Sequence, residues 1–386
     1  MQASTCISSN ADISAGQSHA PRVLDRTFGP SRRSTADGVH RPVKLARVDF
    51  DEAVRLWARE PGWLNSASYG IPPGPAFEAL QSALAEWRHG ATGWDKWDRS
   101  TDRARAAFAR LVGVAAEDVA VGASASQLLA PVAASLPPGS RVVVPDIEQT
   151  SNLFPWLVQD LDVVTVPPAD LPDAIDERTD AVAFSLVQSA TGEVAASDDV
   201  VAAARAHGAL VVADATQAVG WLPVDASPFD VLAVSAYKWL MCPRGTAFCY
   251  VSPAVRDRIR PLAANWYAGE GDASYGPPLR LAKDARRFDI AVPWFSYVAA
   301  APTLELLLEI GIGPIHEHNV RLANRFRTGL GMPSGDSAIV SVTRPGASER
   351  LEAAGIRASV RKGAARLAFH LYTTESDVDT AITALT

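Results

Sequence analysis

Short apolar runs recur along the chain from about residue 119: Val119-Ala120-Val121, Val142-Val143-Val144, Val163-Val164-Thr165-Val166, Ala181 to Val187, Leu210 to Ala213 and Val231 to Val234. Runs of this length with no polar alternation are the pattern of strands covered on both faces. Between them lie stretches with helical spacing, such as Asp198 to His207, so the pattern predicts an α/β fold built on a mostly parallel sheet with helices on both faces. Ligands of such sheets gather at the carboxyl ends of the strands. From about Pro261 a smaller α+β domain is expected, with helices around Pro302 to Ile310 and over Gly313 to Leu330. Near the end, Arg366 to Tyr372 alternates: Arg366, Ala368, His370 and Tyr372 on one face, Leu367, Phe369 and Leu371 toward the core.

Composition divides the chain further. Residues 1–45 are rich in Ser, Gly, Pro and Arg without a hydrophobic period, which predicts a disordered leader. A large domain is expected over 46–260, with 46–65 packing on a small domain at 261–386. At 386 residues and 48% hydrophobic, the chain can bury a sizeable core. A net charge of −7 offers no basic surface to attract nucleic acid or an anionic membrane, and no apolar run approaches the roughly 20 residues of a membrane-spanning helix. Three scattered cysteines argue against a disulfide framework and for a reducing compartment, so a cytoplasmic location is expected. His316 and His318 are two apart and cannot share a helix face, so no metal site is expected there.

The chemistry concentrates at the ends of two predicted strands. Only five lysines occur, and one of them, Lys238, stands in Ser235-Ala236-Tyr237-Lys238-Trp239 directly after the run Val231 to Val234. A lysine retained in an arginine-rich chain suggests use of its amine, since guanidinium cannot form a Schiff base. Upstream, Leu210 to Ala213 leads into Asp214-Ala215-Thr216-Gln217. Pyridoxal phosphate needs a lysine, a carboxylate at the pyridine nitrogen and a phosphate cradle. Lys238 and Asp214 are candidates for the first two. Gln217 is a candidate donor to the ring phenolate oxygen, and Gln188, closing the run Ala181 to Val187, is placed for the same face. The cradle is expected where Val119-Ala120-Val121 turns through Gly122-Ala123-Ser124-Ala125 into a helix bent by Pro131, because free N–H groups at a helix N-terminus suit a phosphate dianion. Ser124 would supply a hydroxyl, and Ser235 and Tyr237 two more beside the lysine.

In these motifs the chain resembles the class V aminotransferase family, fold-type I pyridoxal phosphate enzymes that include cysteine desulfurases, kynureninases and isopenicillin N epimerases. The resemblance runs from Trp63-Leu64-Asn65 to the C-terminus. It is carried by Gly122 to Gln127, Glu148-Gln149-Thr150-Ser151-Asn152 with Pro155-Trp156, Gln188, Asp214 to Gln217, Ser235 to Lys238 with Pro243-Arg244-Gly245, Arg287-Phe288-Asp289, and Arg366 ahead of Tyr372-Thr373-Thr374. It implies that Arg366 holds the substrate α-carboxylate as a planar fork, with Asn65 beside it, and that Gln149 lies over the pyridine ring where many members place a histidine. An amide cannot serve as a general acid, which argues against desulfuration. Val292 stands where desulfurase-like relatives place a hydroxyl reaching the neighbouring subunit's cofactor phosphate. Between Gly355 and Arg366 there is no cysteine for a persulfide, and Cys242 and Cys249 read as packing residues.

The resemblance also implies that the aromatic loop Asn265 to Pro278 lies near a dimer interface and the site mouth; Trp266 and Tyr267 there, and Trp94 and Trp97, read equally as pocket or interface. The expectation is a homodimeric enzyme acting on a small amino acid. Transamination is the first reading, C–S cleavage by β-elimination or epimerisation the alternative. Intact Lys238, Asp214 and Arg366 oppose a non-catalytic binding protein.

Overall fold

The computed structural model describes residues 49–271 and 273–386; the leader expected over 1–45 lies outside them. Seven strands, β1 (Val119–Gly122), β2 (Arg141–Pro145), β3 (Asp162–Val166), β4 (Thr179–Ser185), β5 (Leu210–Asp214), β6 (Val231–Ser235) and β7 (Ala247–Val251), form one sheet in the order β1-β7-β6-β5-β4-β2-β3. From β6 to β3 all neighbours are parallel, while β7 runs antiparallel to β1 and β6. Every residue of β5, β6 and β7 is buried, as unalternating apolar runs require. Successive side chains go to opposite faces: Val211 and Ala213 join one core, Leu210 and Val212 the other.

Ten α-helices lie among the described residues. They are α1 (Phe50–Val54), α2 (Gly74–His89), α3 (Trp94–Leu111), α4 (Ala125–Ala133), α5 (Thr150–Leu157), α6 (Ser197–His207), α7 (Trp294–Ile310), α8 (Ile312–Gly329), α9 (Ala347–Ala353) and α10 (Glu375–Leu385). Pro131 lies inside α4. Helix α7 begins well before Pro302, which it accommodates internally, and packs against α2 and α3. No single described helix is long and apolar enough to cross a membrane.

A second sheet, β8 (Ile339–Val342), β9 (Ser359–Arg361) and β10 (Ala364–Ala368), is antiparallel in the order β8-β10-β9. The segment before α2 joins it: Asn65 bridges to Ala368, Trp63 to Arg357, and Leu64 packs with Leu322, Phe326 and Leu367. The alternation expected from Arg366 to Tyr372 stops where β10 ends at Ala368. Leu367 and Phe369 enter the small-sheet core, but Leu371 turns to the large core with Ala368 and Tyr372, because the chain leaves the strand and its two-residue period no longer applies.

The start of the cradle is pinned by a buried ion pair. Arg105 Nη2 lies 2.7 Å from Asp289 Oδ2, and Arg105 Nη1 donates to Val119 O at 2.7 Å. Asp289 Oδ1 accepts from Val121 N at 2.8 Å. The Tyr297 hydroxyl sits 2.8 Å from both Gly122 O and Ala247 O, tying the last residue of β1 to the first of β7.

Candidate active site

Parallel strands with a common direction leave their carboxyl ends on one edge, and the polar residues of β4, β5 and β6 meet there. Asp214 closes β5 opposite Ser185 of β4 and Ala233 of β6. Its carboxylate is buried and accepts from Thr216 N at 2.8 Å. Burial pushes this carboxyl up, the Thr216 hydrogen bonds and the charge of Lys238 opposing it. Thr216 Oγ1 in turn accepts from Ser235 N at 2.9 Å, coupling the ends of β5 and β6.

Lys238 follows β6 in a tight turn. A Cβ on Gly70 would fall 2.2 Å from Lys238 O, and Gly70 N donates to Tyr237 O at 2.9 Å, so only glycine lets this segment close over the lysine backbone. Burial lowers the Lys238 amine to about 8; Asp214 pulls it upward and Arg366, Arg361 and Arg244 push it further down. The Tyr237 ring lies between two cations, 5.8 Å from Lys238 Nζ and 5.0 Å from the Arg244 guanidinium carbon.

At the N-terminus of α4, Ser124 is the N-cap and accepts from Gln127 N at 3.3 Å, with its hydroxyl 3.2 Å from that of Ser126. Ala125 N donates to Ser235 Oγ at 2.9 Å and Ala123 N to Gln127 Oε1 at 3.1 Å. A Cβ on Gly122 would sit 2.3 Å from Gln127 Oε1 and 2.9 Å from Leu128 Cγ. The turn is therefore drawn close to the helix, and the hydroxyls of Ser124, Ser126 and Ser235 converge on its positive end.

Glu148, within the field of Asp214, is buried just after β2. Glu148 accepts from Gln149 N at 2.9 Å, Ser185 N at 2.8 Å, the Ser185 hydroxyl and Gln188 Nε2 at 3.2 Å. The Gln188 Oε1 is left buried without a partner. Gln149 does not face inward here: it is exposed and caps α5, its Oε1 accepting from Ser151 N at 2.6 Å. Gln217 also departs from expectation. Its Nε2 donates to Ala67 O and Ser189 Oγ, both at 3.0 Å, and its Oε1 accepts from Trp239 Nε1 at 2.8 Å, so the amide is committed to the pocket wall.

Arg366 reaches this edge from β10. Only 1% exposed, it donates from Nε to Ser359 Oγ at 3.2 Å, from Nη1 to Ser189 O at 2.5 Å and Ser189 Oγ at 3.1 Å, and from Nη2 to Ser68 Oγ at 3.0 Å. All these acceptors are neutral, and no carboxylate among the described residues pairs with it. Burial lowers its pKa to about 10, with a contribution from Arg361, whose Nη2 donates to the same Ser68 hydroxyl at 3.3 Å. Asn65 holds a buried Oδ1 without a partner.

Several other residues noted in the sequence lie in packing positions. Tyr267 donates to Asp98 Oδ1 at 2.6 Å, and Trp266 packs edge-on against Trp94, which stacks on Trp294; this aromatic group belongs to α3 and α7. His370 is buried between Trp239 and Tyr372, its Nε2 against Trp239 O at 2.9 Å, a packing position. Cys242 and Cys249 are buried thiols pushed well up by desolvation, so neither is a nucleophile. Sequence reasoning assigned no role to Arg361, Ser68, Ser189 or Glu148; the only signals were the arginine excess near β10 and the Glu preceding Gln149.

The profile of the Aminotransferase class-V family matches residues 95–341, and the chain belongs to that family. It is 29% identical over 346 residues to an uncharacterized aminotransferase, YcbU, of Bacillus subtilis, covering 83% of this chain and 92% of that protein. It is 28% identical over 321 residues to an isopenicillin N epimerase of Streptomyces clavuligerus, covering 73% and 78%. Among solved structures, a variant of the cystine C–S lyase C-DES with glycine covalently linked to its pyridoxal phosphate superposes with a TM-score of 0.79 at 18% identity, covering 88% of this chain and 99% of that one. The mostly parallel sheet of a fold-type I enzyme and the pyridoxal phosphate cofactor follow from this membership.

The residues present fit the cofactor. A buried amine of lowered pKa stands beside a buried carboxylate, a helix N-terminus with three hydroxyls lies at one end, and Gln188, held by Glu148, keeps a buried Oε1 without a partner. Bound there, pyridoxal phosphate supplies an aldehyde for amines and an electron-withdrawing ring.

Proposed function

We propose that this protein acts at the α-carbon and amino group of a small amino acid, and that the outcome is transamination. In this reading Lys238 carries the cofactor and moves the α-proton, and Asp214 faces the ring nitrogen. The backbone of Ala123 to Ala125 and the hydroxyls of Ser124, Ser235 and Tyr237 hold the phosphate. Gln188 lines the ring and Gln217 walls it, while Gln149 caps α5 at the rim. Arg366, with Asn65, takes the α-carboxylate. The observation that carries the reading is a buried guanidinium without an acid partner acting on the same pocket as a lysine whose pKa is lowered to about 8. A guanidinium so placed is complementary to a carboxylate, and its planar fork orients what it binds.

Transamination is supported by the aminotransferase relative, similar over 92% of its length, and by the buried state of both described cysteines, which opposes persulfide chemistry. Epimerisation or elimination is the second reading, favoured by the epimerase relative. Incubating holoenzyme with a panel of amino acids separates them. Accumulation of the pyridoxamine form, reversed by a keto acid, selects transamination. Release of keto acid and ammonia without it selects elimination, and loss of optical activity alone selects epimerisation. We further read the protein as a cytoplasmic homodimer: the scattered cysteines support the location, and the exposed Trp87, Trp94 and Trp266 support the dimer; sedimentation equilibrium at monomer mass would rule the dimer out.

A further inference from the structure

Glu148 is buried and receives four donors, from Gln149 N, Ser185 N, the Ser185 hydroxyl and Gln188 Nε2. Two of the four donors are backbone N–H groups and a third is an amide NH2, none of which can accept a carboxylic proton, so these hydrogen bonds favour the anion against the opposing effect of burial. A buried anion this well satisfied is rigid, and it fixes its donors in turn. Gln188 must give its NH2 side to Glu148, which turns its Oε1 away as a buried acceptor without a partner. The second carboxylate in range is Asp214, at the end of β5, with β4 between β5 and β2.

We propose that Glu148 is a positioning residue of the cofactor site: it orients Gln188 and Ser185, and its negative charge, added to that of Asp214, strengthens proton binding on the bound cofactor. This rests on the reading that the ring nitrogen faces Asp214. The charges around the site are Asp214 and Glu148 on the negative side and Lys238, Arg366, Arg361 and Arg244 on the positive side. With four cations around two anions, each anion has a large share in deciding where a proton resides. Burial pushes the Glu148 carboxyl up, the Ser185 hydrogen bonds draw it down and Asp214 pushes it up, consistent with two carboxylates that share one field.

The test is the pH titration of the visible absorbance of the bound cofactor in holoenzyme, read beside turnover. Glu148→Gln should lower the midpoint by about half a pH unit or more, since one nearby negative charge is lost. Glu148→Asp should hold the midpoint within a few tenths while turnover falls about tenfold, because a shorter side chain cannot reach Ser185 and Gln188 together. Asp214→Asn is the control and should lower the midpoint too. If Asp214→Asn shifts it and Glu148→Gln does not, the proposal is overturned and the Asp214 reading stands; if neither shifts it, the Asp214 reading fails and the proposal with it. Should Glu148→Gln not fold, Glu148→Asp decides alone: a held midpoint with reduced turnover supports the proposal, and unchanged turnover overturns it.

Discussion

Arg366→Lys keeps one positive charge in the pocket and removes the planar fork. The guanidinium makes four contacts at 2.5 to 3.2 Å with Ser359, Ser189 and Ser68 while leaving its charge without an acid partner. An ammonium on a shorter stem cannot hold those hydroxyls and present two parallel donors to a carboxylate. Losing one charge-assisted hydrogen bond costs about 1.5–3 kcal/mol, a fall of roughly 10- to 150-fold in kcat/KM. A second consequence comes from burial, which with Arg361 lowers the Arg366 pKa. The same burial would lower a lysine there from an ordinary value already below that of arginine. As pH rises the variant therefore sheds its positive charge first and its kcat/KM falls further, while the wild type keeps its cation. Stability moves the other way. The folded pKa lies below the unfolded one, so between the two the unfolded chain holds more protons and the variant's Tm rises with pH relative to wild type. Steady-state kinetics and melting curves across pH 6 to 10 check both. Wild-type kcat/KM with a flat profile, or loss of cofactor with normal amino-acid binding, would refute the assignment of Arg366 to the carboxylate.

Lys238→Ala should abolish turnover and leave the fold largely intact, and borohydride reduction of holoenzyme should attach the cofactor at Lys238 by peptide mass mapping; a label on another lysine sinks the assignment. Because the Lys238 amine is lowered to about 8, capture of pyridoxal phosphate by apoprotein should accelerate as pH rises through about 8 and level off above it, where an ordinary lysine would still be gaining. Asp214→Asn should bind cofactor but lose about 3 kcal/mol or more of transition-state stabilisation, about 10²-fold in kcat; near-normal rates would exclude Asp214 from the electronic role. Asp289→Asn, which strips the partner from buried Arg105, should destabilise the protein by about 3–5 kcal/mol in urea unfolding, and a change under 1 kcal/mol would show that the pair does not hold β1.

The strands, their buried character and the two groups at their ends were legible in the chain. Unalternating apolar runs mark strands covered on both faces, and in a parallel sheet the residue that ends such a run is delivered to one edge, so Asp214 and Lys238 could be placed together without a structure. Arg366 was legible as a motif residue, although its burial was not: β10 has both faces covered, and a two-residue alternation predicts only one. What local pattern could not give is which polar groups already have partners. Gln217 reads as a free donor until Ala67 and Trp239 are seen to occupy its amide. Gln149 reads as a ring-facing residue until it is seen to cap α5. Ser68 joins Arg366 across 298 positions, and Glu148 meets Ser185 and Gln188 across 37 and 40. Periodicity records burial, a property each residue carries with its neighbours in sequence. The direction of a buried hydrogen bond is fixed only when packing brings distant strands and turns into contact and each donor must find an acceptor, so the fold and its two central residues came from the sequence and the wiring around them came from the tertiary structure.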